Sequence, residues 1–140
     1  VTTHKIVLPW TAPPLSMNDR GASAGAVLAK AREIAQIRAD VIRLARHAKL
    51  PLNVGHAVVQ LHYRPRDKRR RDTDNLIATL KPICDALAAG TTKHPGYGLV
   101  ADDIPQHMAK PEPIIHQPAS RTPELWLEIT CSEQPKELPA

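Results

Sequence analysis

The sequence predicts one α/β (α+β) domain built from short strands and two helices. Three observations predict it. Apolar residues alternate at every second position in three short segments, they recur at helical spacing in two longer ones, and 140 residues suffice for a single core.

Ile6, Leu8 and Trp10 alternate with Lys5, Val7 and Pro9, which predicts a first strand ended by Pro9 and the Pro13-Pro14 pair. Leu15 to Gly21 reads as an irregular polar loop. From about Ala22 to Lys49, Val27, Ala31, Ile34, Val41, Leu44 and Ala48 follow helical spacing in an Ala-rich stretch with no Pro until Pro51, so a long amphipathic helix is expected. Its Arg32, Arg38, Arg43, Arg46 and Lys49 read as a solvated face in preference to a nucleic-acid contact. Ala57, Val59, Leu61 and Tyr63 alternate with Val58, Gln60 and His62, as in a half-buried strand.

A second helix is expected from about Asp74 to Ala88, because Leu76, Leu80, Ile83 and Leu87 form one stripe. Pro82 removes a backbone donor there, which predicts a kink or a restart. Eight of the 14 prolines lie from Pro95 onward, so later strands should be short, with Leu125 to Ile129 the clearest and residues 132–140 a loose tail. Neither an internal repeat nor a separate linker is evident, so residues 1–140 form one domain in this reading.

No apolar run approaches the ~20 residues of a bilayer crossing, so no membrane partner is expected. The opening VTTHKIVLPW lacks the features of a signal peptide, which favours a cytoplasmic location. Cys84 and Cys131 have no C-x-x-C spacing and read as buried reduced thiols. The formal charge of +5 resides in one place: residues 64–71 hold six bases and one acid, and the other 132 residues hold 13 of each. Arg64, Arg66, Lys68, Arg69, Arg70 and Arg71 are therefore the candidate DNA-binding residues, suited to backbone phosphates.

That basic run leads directly into Asp72-Thr73-Asp74-Asn75. On extended backbone, side chains at i and i+2 point the same way, so Asp72 and Asp74 can converge on one point. Hard carboxylate oxygens suit Mg²⁺, which takes one or two protein carboxylates and keeps water and phosphate as its other ligands. Asp102-Asp103 could complete such a site from another element. Plainer roles exist for each: Asp74 as a helix cap, Asp102-Asp103 as a turn. Asp74, Lys81 and Asp85 share one helix face, where Lys81 either holds a phosphate or pairs with Asp85 at i,i+4; residue types leave both open. The seven histidines show no metal-ligand spacing, and no nucleotide-binding loop or nucleophile elbow occurs. Four aromatic residues are few for stacking single-stranded bases. Metal-assisted attack on a phosphodiester fits best.

On these residues the chain resembles the RusA family of Holliday-junction resolvases, small phage- and prophage-associated endonucleases. The resemblance rests on Leu8-Pro9-Trp10 with Asn18, on Arg69 to Leu76, on Lys81-x-x-x-Asp85-Ala86-Leu87, on Gly98 to Asp103 and on Glu124 to Ile129, and covers about residues 4–130. It implies a mixed sheet flanked by helices, a homodimer, and Mg²⁺-dependent (or Mn²⁺-dependent) nicking of paired strands at four-way DNA junctions. Asp72, Asp74 and Asp103 would match the family's metal-binding acids, Lys81 its catalytic lysine, and Asp102 the neighbouring acid. Two departures stand out. Shorter members carry the lysine where this chain has Ala78, and the loop from Ala89 to Tyr97 is longer here. Two other functions fit the same residues: a metal nuclease acting on flaps or duplex, and a non-catalytic DNA-binding module using only Arg64 to Arg71.

Overall fold

A computed structural model describes residues 1–16, 23–119 and 122–140. Asn18 and most of the predicted polar loop lie outside the described residues. The elements are β1 (Thr2–Val7), α1 (Ala24–His47), β2 (His56–Arg64), α2 (Asp74–Leu87), β3 (Met108–Ala109), β4 (Ile114–Ile115) and β5 (Glu124–Ser132). The sheet runs β1-β5-β2-β3, with β4 also on β2. β5 pairs antiparallel with β1 and β2, while β3 and β4 pair parallel with β2, so the sheet is mixed.

Strand alternation decides the two faces. Ala57, Val59, Leu61 and Tyr63 of β2 and Leu125, Leu127, Ile129 and Cys131 of β5 are buried in one cluster with residues of both helices. The register brings Val59 opposite Ile129 and Leu61 opposite Leu127, with Ile6 of β1 opposite Leu127 on its other side. The expected α2 stripe of Leu76, Leu80, Ile83 and Leu87 is buried. Pro82 is buried too, and α2 runs unbroken through it, so the helix does not restart. The fully buried residues of α1 all lie in its second half, Ile37, Val41 and Ala45, with Ile34 packed against the core just before them. Val27 and Ala31, expected on the buried stripe, are exposed because that half of α1 extends past the core. Ser23 caps α1, its Oγ accepting the Ala26 N–H at 3.1 Å.

β1 lies earlier than expected, and Leu8 follows it with a bond from its N–H to the Leu125 carbonyl at 2.9 Å. β5 extends to Ser132, beyond the expected Ile129. The segment after it is less loose than expected: Lys136 N–H donates to the Gln106 carbonyl at 2.9 Å, and the Glu133 carbonyl packs on Gly55 with no room for a Cβ. Cys84 and Cys131 are buried free thiols, and burial pushes Cys84 up to about 12. Among the described residues no helix is long and apolar enough to cross a membrane.

Candidate functional site

The loop from β2 to α2 carries the positive charge, and Asp67 organises it. Asp67 Oδ1 accepts the Arg69 backbone N–H at 3.0 Å and Arg71 Nη2 at 2.8 Å. Its Oδ2 faces Arg69 Nη2 at 3.4 Å and Arg66 Nε at 3.6 Å. The Arg69 amide, then the Arg71 guanidinium, hold the Asp67 carboxyl below the usual carboxylate range. Arg71 Nη1 also donates to the Asp67 and Arg69 carbonyls, each at 2.9 Å, and its guanidinium lies 6.0 Å from the Tyr63 ring centre. At 21% side-chain exposure Arg71 faces the loop, whereas Arg66 and Arg69 are about 70% exposed. Arg64 is likewise turned inward, 3.5 Å from Glu124 and over the Trp126 ring. Of the six candidate DNA-binding residues, Arg66, Lys68, Arg69 and Arg70 are exposed.

Asp72 and Asp74 lie where the loop becomes α2. Asp72 Oδ1 accepts the Asp74 N–H at 3.0 Å, which satisfies one of the donors that a helix start leaves open. Asp72 therefore does the capping that was the plainer alternative for Asp74, and the D-x-D-N motif straddles the helix start. Thr73, at the cap position, instead donates its hydroxyl to Glu112 Oε1 at 2.9 Å. Asp74 stands in the first turn, where the helix dipole favours negative charge. A cleft of about 390 Å³ opens beside Asp72 and Asn75, walled by Tyr63, Arg70 and Arg71.

The remaining candidates form a second group further along α2. Lys81 Nζ lies 3.0 Å from Asp85 Oδ1 and 3.3 Å from Asp103 Oδ2, and Lys110 Nζ is 3.5 Å from the same Asp103 oxygen. Bonding to Asp85, opposed by burial and helped by Asp103, raises the Lys81 pKa. Burial works against the charge of Asp103, yet the hydrogen bonds to Asp85 and Lys81 and the charge of Lys110 hold its carboxyl down to about 2. Asp102 Oδ1 accepts the Asp103 N–H at 2.8 Å, and the hydrogen-bonded turn of this segment lies just after the pair, where the His107 N–H donates to the Ile104 carbonyl at 2.9 Å. A cleft of about 540 Å³ is bordered by Arg38, Asp85, His94, Asp102 and Asp103.

Asp72 and Asp74 thus adjoin at the start of α2, and Asp103 is paired with Lys81 and Lys110 further along it. Seven residues of helix between Asp74 and Lys81 amount to about 10 Å of rise, and eleven to Asp85 about 16 Å. Carboxylates serving paired metal ions need those ions within about 4 Å of each other. No three His, Cys, Asp or Glu side chains among the described residues are gathered so as to hold a metal ion. The local donor set that suits Mg²⁺ is the Asp72/Asp74 pair, because this ion needs only one or two protein carboxylates. Asp103 is held by two lysines.

Sequence reading missed several participants. Asp67 had a signal, since its spacing to Arg69 and Arg71 is i+2 and i+4. Lys110 and Glu112 had none, because only the parallel pairings of β3 and β4 bring that segment to α2. The same pairing joins His62 Nδ1 to His116 Nε2 at 2.9 Å, with the His62 and Trp126 rings stacked at 5.0 Å. Burial lowers the His62 pKa, and among the described residues no group bonds its Nε2. No protein-family model and no curated protein matches this chain.

Proposed function

We propose that this chain is a Mg²⁺-dependent, structure-selective endodeoxyribonuclease that resolves four-way DNA junctions by paired symmetric nicks. The observation that carries the reading is the direct passage of an exposed basic loop into two carboxylates at a helix start, with Arg70 and Asp72 on one cleft. Arg66, Lys68, Arg69 and Arg70 would bind the DNA backbone, which selects structure over base sequence. Asp72 and Asp74 would hold Mg²⁺, or Mn²⁺ in its place. The bound ion supplies water activation and charge stabilisation at the phosphodiester. Lys81, with Asp103 and Asp102 beside it, supplies cationic charge on the same helix. A junction presents two strands to cut, so a homodimer with two equivalent sites matches the task. A nuclease working on recombining DNA would act in the cytoplasm.

The pairing of Asp103 with Lys81 and Lys110 favours a second reading, a non-catalytic DNA-binding module. A third is a metal nuclease for flaps or plain duplex. Cleavage of a four-way junction, a flap and a linear duplex of the same sequence, each with Mg²⁺ and with EDTA, separates them. Mg²⁺-dependent cutting of the junction alone supports the proposal; binding without cutting in every condition overturns it. A strictly monomeric mass at micromolar concentration with full resolving activity would overturn the dimer.

A further inference from the structure

Two of the loop's charged side chains, Arg71 and Asp67, differ from the rest in what they touch. Arg71 spends its guanidinium on three acceptors inside the loop, the Asp67 carboxylate and the Asp67 and Arg69 carbonyls. Asp67 uses its two oxygens differently. Oδ1 fixes backbone and Arg71, while Oδ2 meets the exposed Arg66 and Arg69 at 3.4 to 3.6 Å. Exposed pairs of that kind contribute little and exchange readily. The planar fork of Arg71 is what allows one side chain to reach all three acceptors, a geometry that a lysine lacks.

Arg71 also borders two clefts. On one side it walls the 390 Å³ cleft with Arg70, Asp72 and Asn75; on the other it walls one of about 260 Å³ with Lys68, Arg69 and His116. We propose that Asp67 and Arg71 are positioning residues: they lock the loop so that Lys68 and Arg69 serve one cleft and Arg70 the other, presenting cations to successive backbone phosphates. Neither touches phosphate itself. The inference rests on the DNA-binding part of the function proposed above. An ordered loop matters because a loop that must be ordered on binding gives up affinity.

The test uses the full chain as wild type, Asp67→Ala, Arg71→Lys and Arg71→Ala. Amide hydrogen exchange over residues 66–71 is read without DNA, and four-way junction affinity is read without divalent metal. Hydrogen bonds to charged groups are worth enough to predict a roughly tenfold or greater rise in exchange for Asp67→Ala and for Arg71→Lys. Junction binding should weaken about tenfold in both, with the thermal midpoint nearly unchanged. Asp67→Ala makes the loop more positive, so charge alone predicts tighter binding, and the sign of the change decides. Arg71→Lys should resemble Arg71→Ala. Tighter binding by Asp67→Ala, or wild-type exchange and affinity in Arg71→Lys, overturns the proposal. If the wild type binds no DNA, the nuclease reading fails, and unchanged exchange in Asp67→Ala and Arg71→Lys then overturns the locking of the loop.

Discussion

Lys81 Nζ lies 3.3 Å from Asp103 Oδ2, which ties the middle of α2 to the segment leading into β3. The same ammonium pairs with Asp85 one helical turn on, so Lys81 is directed toward the C-terminal half of α2 and away from Asp74.

Lys81→Ala separates the roles of that ammonium. Its side chain is 64% exposed, so the pairs with Asp85 and Asp103 should contribute no more than about 1 kcal/mol to stability. If Lys81 acts on the reacting phosphodiester, single-turnover cleavage should fall strongly with little loss of junction affinity, as for a group acting mainly in the transition state. Near-normal turnover would assign Lys81 to the ion pairs alone.

Asp72 has two separable duties, and two substitutions divide them. Asp72→Asn keeps an oxygen for the Asp74 N–H but loses the charge that would hold a cation. Cleavage should vanish, stability should hold, and junction binding should persist or tighten. Asp72→Ala loses the acceptor as well and should cost about 1 kcal/mol of stability, as helix caps do. Asp74→Asn should also abolish cleavage. Wild-type cleavage rates in either Asn variant would remove the pair from the metal site.

Leu76, Leu80, Ile83 and Leu87 were legible as one buried stripe because spacing by three and four leaves only one helix face. The same reasoning misplaced Val27 and Ala31. Periodicity shows that a helix has an apolar side, but not how far along it the partner extends. Asp72 and Asp74 were legible as neighbours because the relation is local. Asp103 was expected beside them from another element, and in this structure its carboxylate pairs with Lys81 and Lys110, the second of which no spacing in the sequence announces. The His62–His116 contact and the Glu112 bond to Thr73 left no trace in sequence, because two-residue strands set among prolines create them.

Salt dependence distinguishes the outward cations from the inward ones. Each neutralised phosphate changes the slope of log K against log salt by about 0.9 on duplex arms. Replacing Arg69 and Arg70 together by Ala should flatten that slope by about 1.8 if both make contacts. Arg64→Ala, which removes a side chain paired with Glu124, should leave the slope near that of wild type. An unchanged slope in the double variant would mean that the exposed run faces solvent.

Acid should destabilise the fold in two separate ranges, each with its own residue. Burial lowers the His62 pKa from 6.5, so the unfolded chain binds that proton more readily than the folded one. Stability must then fall as pH drops below about 6.5, and it stops falling once the folded-state pKa is passed. His56 contributes in the same direction, again through burial. Asp103 acts lower down. Its carboxyl is held at about 2 against 3.8 when unperturbed, so its contribution is complete above pH 3.8 and is lost as pH falls toward 2. Denaturant unfolding at a series of pH values should therefore show an upper decline that His62→Phe reduces, and a lower one that Asp103→Asn reduces. His62→Phe keeps a ring to stack on Trp126 but removes the titrating nitrogens. An upper decline that persists unchanged in both His62→Phe and His56→Phe would mean that neither ring is buried neutral in solution, and that another group sets the response near pH 6.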